Sequence, residues 1–340
     1  MNQALGKWLL AIGALFALSQ PLASRAQEPA SLDRQALIQA AQKEGSLVWY
    51  TSLAQKDSAK LIQDFEQKYG IKVTSWRSGD DNVLHRILSE AKGRAHKADV
   101  AQIQIQNMEA LSREKLLERL DLPALNDLVP GAVPPHKEWA VAQITLFTLA
   151  YNTNLLDPKE LPKSYQDLAD PKWKGKIGVE GTDYDWFDVV AQSLGGEAGL
   201  ELFRQIKQRN DASVRTGHSL LANLVVAGEV PLALNVYQYK AVQLKRSGAP
   251  LDWAILEPAL AFATGAGVLR NAPHPNAARL FYEYLLEDGQ KVMGTLDNIP
   301  SNTKVPSELP RDNIRFIDVN HALDNRDRLE KQFDDIFVRG

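Results

Sequence analysis

Tyr237 and Tyr239 flank a single glutamine, and the loop Gly181-Thr182-Asp183-Tyr184-Asp185-Trp186 sets two carboxylates and two amphipathic rings within six residues. Rings such as those of Tyr184 and Trp186 grip organic ligands when they border a cleft, although Trp186 is also suited to a buried core. Asp183 and Asp185 precede an apolar helical pattern, so each is either a helix N-cap or a ligand contact. His218 and Ser219 open another helical pattern, where backbone N–H groups converge; Ser219 is a cap or a contact on the same grounds. Arg77 follows a short strand pattern and either pairs bidentately with a carboxylate or phosphonate or is a solvated surface arginine. If 235–239 is a strand, side-chain alternation puts the rings of Tyr237 and Tyr239 on one side.

Enzyme chemistry finds little support. The chain has no His-Glu-x-x-His, Gly-x-Ser-x-Gly, Gly-x-Gly-x-x-Gly or phosphate-loop motif. Ser112-Arg-Glu-Lys115 matches Ser-x-x-Lys without its partner motifs, and the six histidines show no metal-ligand spacing. No basic stripe with interleaved aromatics is present, which argues against nucleic acid.

The elements that must position these residues alternate strand and helix. Strand patterns appear at Leu47–Tyr50, Ile71–Thr74, Val100–Ile105, Ala140–Tyr151, Ile177–Val179, Pro231–Leu234 and Trp253–Leu256. Helical patterns begin at Asp57 or Ser58, then cover Val83–Ala91, Leu111–Leu120, Trp186–Leu194, Gly199–Arg209, Leu220–Ala227 and Asn276–Leu286. Such alternation predicts a mostly parallel sheet with helices on both faces. In open α/β sheets ligands bind beyond the carboxyl ends of strands. That rule selects Thr51-Ser52-Leu53, Arg77-Ser78-Gly79, Gln106-Asn107, 181–186, 216–219 and 235–239. The extended segments 140–151 and 253–262 suit crossovers between two sheets.

Length and charge define the setting. Lys7, the apolar run Trp8–Leu18 and the small residues Ser24 and Ala26 form a secretion signal, with cleavage expected after Ala26. The run is too short for a bilayer, which needs about 20 apolar residues. Cleavage removes Lys7 and Arg25 from 39 basic residues, leaving 37 against 42 acidic ones and a net charge of −5. No global attraction for nucleic acid or anionic membrane follows. The chain contains no cysteine, hence no lipid-anchored cysteine.

The stretch Gln166-Asp-Leu-Ala-Asp-Pro-Lys-Trp-Lys-Gly-Lys-Ile-Gly-Val179 resembles the mid-chain signature of periplasmic solute-binding proteins that feed ABC importers. Leu47–Ser52 followed by Phe65–Val73 resembles the opening of the ferric-iron-binding and related family 1 proteins. Ala150–Asn154, Gly265–Leu269 and Asn271–Ala278 resemble their later landmarks, in family order. The resemblance covers most of residues 44–295. It implies a type II periplasmic binding protein: two α/β domains with a central cleft and two crossover strands. Domain I would be 28–143 plus 257–315 and domain II 144–256, with 1–26 a signal peptide and 316–340 a C-terminal helical extension. The implied function is capture of a small solute in the cleft for an inner-membrane ABC permease, without catalysis, cofactor or membrane insertion, by a periplasmic protein expected to be monomeric.

Residue by residue, the expected ligand set is Thr51, Ser52, Arg77, Asn107, Asp183, Tyr184, Trp186, His218, Ser219, Tyr237 and Tyr239. Iron-binding relatives use two adjacent tyrosines at the 235–239 segment; here Gln238 separates them, and Thr51 and Ser52 stand where a histidine follows the first strand. The sequence therefore favours an organic, anionic solute over metal. Ferric iron as the transported ligand, held by Tyr237, Tyr239 and a carboxylate, is the alternative. A periplasmic sensor subunit and an enzyme on the same scaffold are also compatible with these residues, because fold does not fix function.

Overall fold

The computed structural model describes residues 29–309, 311 and 314–339. The proposed signal segment 1–26 lies outside them. The first half follows the expected alternation: α1 (Pro29–Glu44), β1 (Ser46–Thr51), α2 (Gln55–Tyr69), β2 (Lys72–Arg77), α3 (Asp80–Lys92), β3 (Val100–Gln104) and α4 (Ile105–Arg113). The long strand β4 (Ala140–Asn152) leads to β5 (Ile177–Glu180), α5 (Tyr184–Ser193), α6 (Glu197–Asn210), β6 (Ser213–Arg215) and α7 (His218–Ala227). Next come β7 (Leu232–Tyr237), α8 (Gln238–Arg246), β8 (Leu251–Ala254) and β9 (Leu260–Val268). The chain finishes with α9 (Pro275–Leu286), α10 (Asp288–Gly294), β10 (Arg315–Phe316) and α11 (Val319–Phe333), closed by a π-helical turn over Asp334–Val338.

The helices form for local reasons. In α2, Leu61, Phe65 and Tyr69 recur every four residues and are buried, and Gly70 stops the helix in the left-handed conformation at φ 70°. The strand order is β2-β1-β3-β9-β4-β7-β5-β6, with β10 on β9 and β8 on β4. β1 pairs parallel with β2 and β3, and β5 parallel with β6 and β7. β4 is the seam. Its first half, Ala140–Leu146, runs antiparallel to β9, and its second half, Phe147–Asn152, runs antiparallel to β7 and β8.

Hydrophobic packing changes hands along that seam. Residues up to Leu146, and again from Ala261 to Ile299, bury into one core around Trp49, Phe65 and Phe281. Phe147 to Leu260 pack into a second core around Trp173, Phe187 and Phe203, with a smaller cluster under α7 and α8. We call the two bodies lobe I and lobe II. β4 and the segment entering β9 are the two crossovers, and α11 is a third link. It packs against α4 of lobe I and α5 of lobe II, and Phe333 and Phe337 are buried in the second core.

Two elements differ from the sequence expectation. The helix expected at 111–120 lies instead at Ile105–Arg113. Ile105, Met108 and Leu111 supply its buried face, and Lys115 at φ 59° prevents its continuation. The strand expected at Val100–Ile105 therefore ends one residue early, at Gln104. Likewise 235–239 is not one strand: β7 ends at Tyr237 and α8 starts at Gln238.

Candidate functional site

Six helices begin where strands end at the gap between the lobes: α2, α3 and α4 from lobe I, α5, α7 and α8 from lobe II. A cleft of about 360 Å³ lies among them. Lobe I contributes Ser52, Leu53, Asp57, Asp80 and Gln104; lobe II contributes Thr182, Asp183, His218, Tyr237 and Tyr239. The crossovers form its floor with Gln143 and Thr145 on β4 and Phe262 and Thr264 on β9.

Lobe II holds the tightest arrangement. Asn235, fully buried on β7, ties the strand ends together: its Oδ1 accepts from Glu180 N at 2.8 Å, and its Nδ2 donates to Asp183 Oδ2 at 2.7 Å. The Asn235 carbonyl faces His218 Nδ1 at 3.1 Å. His218 Nε2 stands 3.4 Å from Asp183 Oδ1, and Glu180, Asp183 and His218 together place ligand atoms within 4.8 Å of one another. The imidazole stacks on Tyr237, centroids 3.5 Å apart at 23°, and Tyr239 lies parallel to Tyr237 at 6.1 Å. The two phenols therefore converge although strand alternation does not arrange them. The turn from β7 into α8 does.

Burial sets the electrostatics. It pushes the Asp183 carboxyl up to about 6, against the opposing pull of His218 and Asn235 and with the help of Glu180. His218 is drawn down by burial, but neighbouring Asp183 and Glu180 outweigh this and its pKa is raised. Tyr237 is raised well above 10, by burial first and then by Asp183 and Asp80; Tyr239 rises to about 12, by burial and then Asp57.

The expected site residues divide. Asp183, His218, Tyr237, Tyr239 and Ser52 line the cleft. Thr51 is buried behind it, its Oγ1 accepting from Leu53 N at 3.0 Å. Asn107 and Tyr184 line a neighbouring cavity of about 580 Å³ under α11, where Asn107 donates to Asp81 at 3.1 Å and Tyr184 packs against Phe333 at 5.5 Å. This cavity shares Asp80, Gln104 and Thr182 with the cleft, and Gln106 donates across it to Asp185. Thr51 is thus not a cleft residue, and three further expectations need correcting. Trp186 does not face the cleft; it is fully buried between Tyr165 and Phe203 because the apolar face of α5 begins there. Arg77 is exposed outside the lining and donates to the Leu53 carbonyl at 3.2 Å. Ser219 is exposed on α7 and also outside it.

Sequence reasoning missed Asp57, Asp80, Thr145, Phe262 and Thr264 as cleft residues. The signals were available. Asp57 and Asp80 sit in first turns after strand ends, and the other three lie where the two crossovers pass the cleft.

A family model for bacterial extracellular solute-binding proteins matches residues 50–292. The chain belongs to that family. The Fe(3+)-binding periplasmic protein of Serratia marcescens is 29% identical over 273 residues, covering 76% of this chain and 78% of that relative. Iron-bound HitA from Pseudomonas aeruginosa superposes with a TM-score of 0.74 at 24% identity, over 85% of this chain and 99% of that one. The periplasmic binding protein AfuA from Actinobacillus pleuropneumoniae, solved with exogenous fructose-6-phosphate, gives 0.71 at 23% identity, over 87% and 100%. These likenesses establish the type II periplasmic binding protein fold. This solute-binding protein is thus the binding component of an ABC importer, and among its described residues no helix is long and apolar enough to cross a membrane.

Proposed function

We propose that the protein captures ferric iron in the cleft between its lobes and delivers it to an inner-membrane ABC permease. One observation carries this reading: the cleft wall is acidic and phenolic, with Asp57, Asp80, Asp183, Tyr237 and Tyr239 but no lysine or arginine among its described lining residues. Carboxylate and phenolate oxygens are hard donors whose charge a small trivalent cation neutralises. The likeness to the Fe(3+)-binding protein of Serratia supports the same cargo.

The organic anion favoured from sequence meets a difficulty here. Helix N-termini do converge on the cleft, but the protein's own carboxylates occupy donors that an anion needs. Glu180 accepts from Thr182 N at 2.7 Å and Gly217 N at 2.8 Å, and Asp80 accepts from Gln104 N at 2.7 Å. The field left in the cleft repels an anion.

The test is a titration of the full mature chain with ferric nitrilotriacetate. The expected result is a visible phenolate-to-iron charge-transfer band that weakens in Tyr239→Phe. A protein that stays colourless, while a phosphonate or sugar phosphate raises its melting temperature, overturns the reading. Ligand at 100 times its dissociation constant adds about 2.7 kcal/mol, ample for detection.

A further inference from the structure

An imidazole and a carboxylate in lobe II face each other. A backbone carbonyl only accepts hydrogen bonds, so the 3.1 Å contact between His218 Nδ1 and the Asn235 oxygen requires the hydrogen on Nδ1. In the neutral ring the lone pair is then on Nε2. That atom is directed at Asp183 Oδ1 across 3.4 Å, wider than the roughly 2.7–2.9 Å of a charge-assisted N–H···O bond. The other carboxylate oxygen, Oδ2, is already held by Asn235 Nδ2 at 2.7 Å. Asn235 thus fixes both groups, the imidazole through its carbonyl and the carboxylate through its amide. Outer hydrogen bonds of this kind set the orientation of metal-binding histidines.

An independent observation points into the same space. Thr145 on β4 is 1% exposed and lines the cleft, yet its hydroxyl has no hydrogen-bond partner among the described residues. A buried hydroxyl without a partner is costly, and a cleft occupant with its own water or ligand oxygens relieves it.

We propose that His218 Nε2 and Asp183 Oδ1 are direct ligands of the metal captured in the cleft, so that lobe II supplies a nitrogen donor beside its phenols. The proposal rests on the ferric reading and deepens it. It places the imidazole on α7 of lobe II, whereas histidine spacing along the chain assigns no metal role. Imidazole suits first-row transition metals in the divalent state as well, so the site takes zinc(II) in addition to ferric ion. Asn235 is a positioning residue: it touches the ligands and not the metal.

Pulsed EPR of the ferric-loaded full chain tests the assignment, with His218→Ala and His218→Gln compared by visible titration and zinc(II) binding followed by calorimetry. Circular dichroism melts establish that each variant is folded. The expected result is nitrogen modulation from a coordinated imidazole in the wild type, absent from both variants. Ferric affinity should fall more than the roughly 10–100-fold typical of losing an outer-shell partner, while a weakened phenolate band persists. A phenolate band without nitrogen modulation, with both variants titrating like wild type, overturns the His218 assignment and leaves the ferric reading intact. Zinc binding lost in the variants, in a protein that ignores ferric ion, overturns the ferric reading and keeps the site. If neither metal binds the wild type, both fall.

Discussion

The two walls of the cleft are built from equivalent strand ends and behave differently. On lobe I the polar groups are committed to local structure: Thr51 to the Leu53 amide, Arg77 to the Leu53 carbonyl, Asp80 to the Gln104 amide. On lobe II, Asn235 gathers Asp183 and His218 into one cluster, and stacked rings from α7, β7 and α8 complete it. Preorganised groups lose less freedom when a ligand arrives. On the proposed reading, lobe II would be the surface that reads the solute, and hinge closure would bring lobe I over it as a cover.

The largest expected effect separates the wall from the core behind it. Trp186→Ala leaves a cavity among Tyr165, Phe203 and Phe187 and should cost about 3–5 kcal/mol of stability. Ferric affinity of the folded fraction should change little. Denaturant melts and titration of the same sample check this; lost affinity with an unchanged melt puts Trp186 back in the wall.

The walls themselves are compared next. Tyr237→Phe and Tyr239→Phe each remove a charged oxygen donor on lobe II and should weaken ferric binding by on the order of 100-fold, about 2.7 kcal/mol. Ser52→Ala on lobe I should weaken it less than about 5-fold, within about 1 kcal/mol. Equal losses on both sides would end the distinction between reader and cover.

Acidity probes the same cluster with two opposite slopes. The Asp183 carboxyl is raised from 3.8 to about 6 in the folded protein, so between those values the unfolded chain has released a proton that the folded one keeps. Stability of the metal-free protein should therefore fall as pH rises from about 4 to about 6. The raised His218 acts in the same direction, its contribution present at low pH and lost as pH passes its folded value. Metal needs the deprotonated groups, so affinity should rise over this range. Asp183→Asn should flatten the stability slope; melts from pH 4 to 7 that are as steep in the variant as in the wild type would remove Asp183 from the account.

Much of this was legible in the sequence because β-strand and helix periods are set by burial, and burial follows apolar spacing. Leu47 to Tyr50 and Ile177 to Val179 read as strands, and the loops after them became cleft wall. Short-range rules failed where one residue changes a side chain's direction. Trp186 looked like the continuation of a ligand loop, yet α5 begins at Tyr184, and position 186 turns inward. The single glutamine between Tyr237 and Tyr239 looked like strand alternation, yet a strand-to-helix turn brings the rings together. The Asn235 network pairs residues 17 and 52 positions away, and no local pattern announces such contacts.

The smallest effect concerns α11, which joins the walls unequally. Its end is anchored in lobe II by apolar burial, with Phe333 against Phe187 at 5.5 Å and Phe337 against Phe203 at 5.7 Å. Its start meets lobe I through half-buried Val319 and a set of surface charges. Arg113 donates to Asp324 and Asn320 at 2.6 Å each, and Arg326 pairs with Asp81 at 3.4 Å. Exposed pairs of this kind contribute about 0–1 kcal/mol and weaken with salt, whereas the buried rings do not. Arg113→Ala should therefore leave the melting temperature within a few degrees of wild type and change ferric affinity less than about 5-fold. The difference should vanish near 1 M salt, where the Debye length is about 3 Å. Affinity curves at low and high salt read this directly. A large loss that persists at high salt would mean that Arg113 holds the lobe I end of α11 through more than charge, and that the cover is held as firmly as the reader.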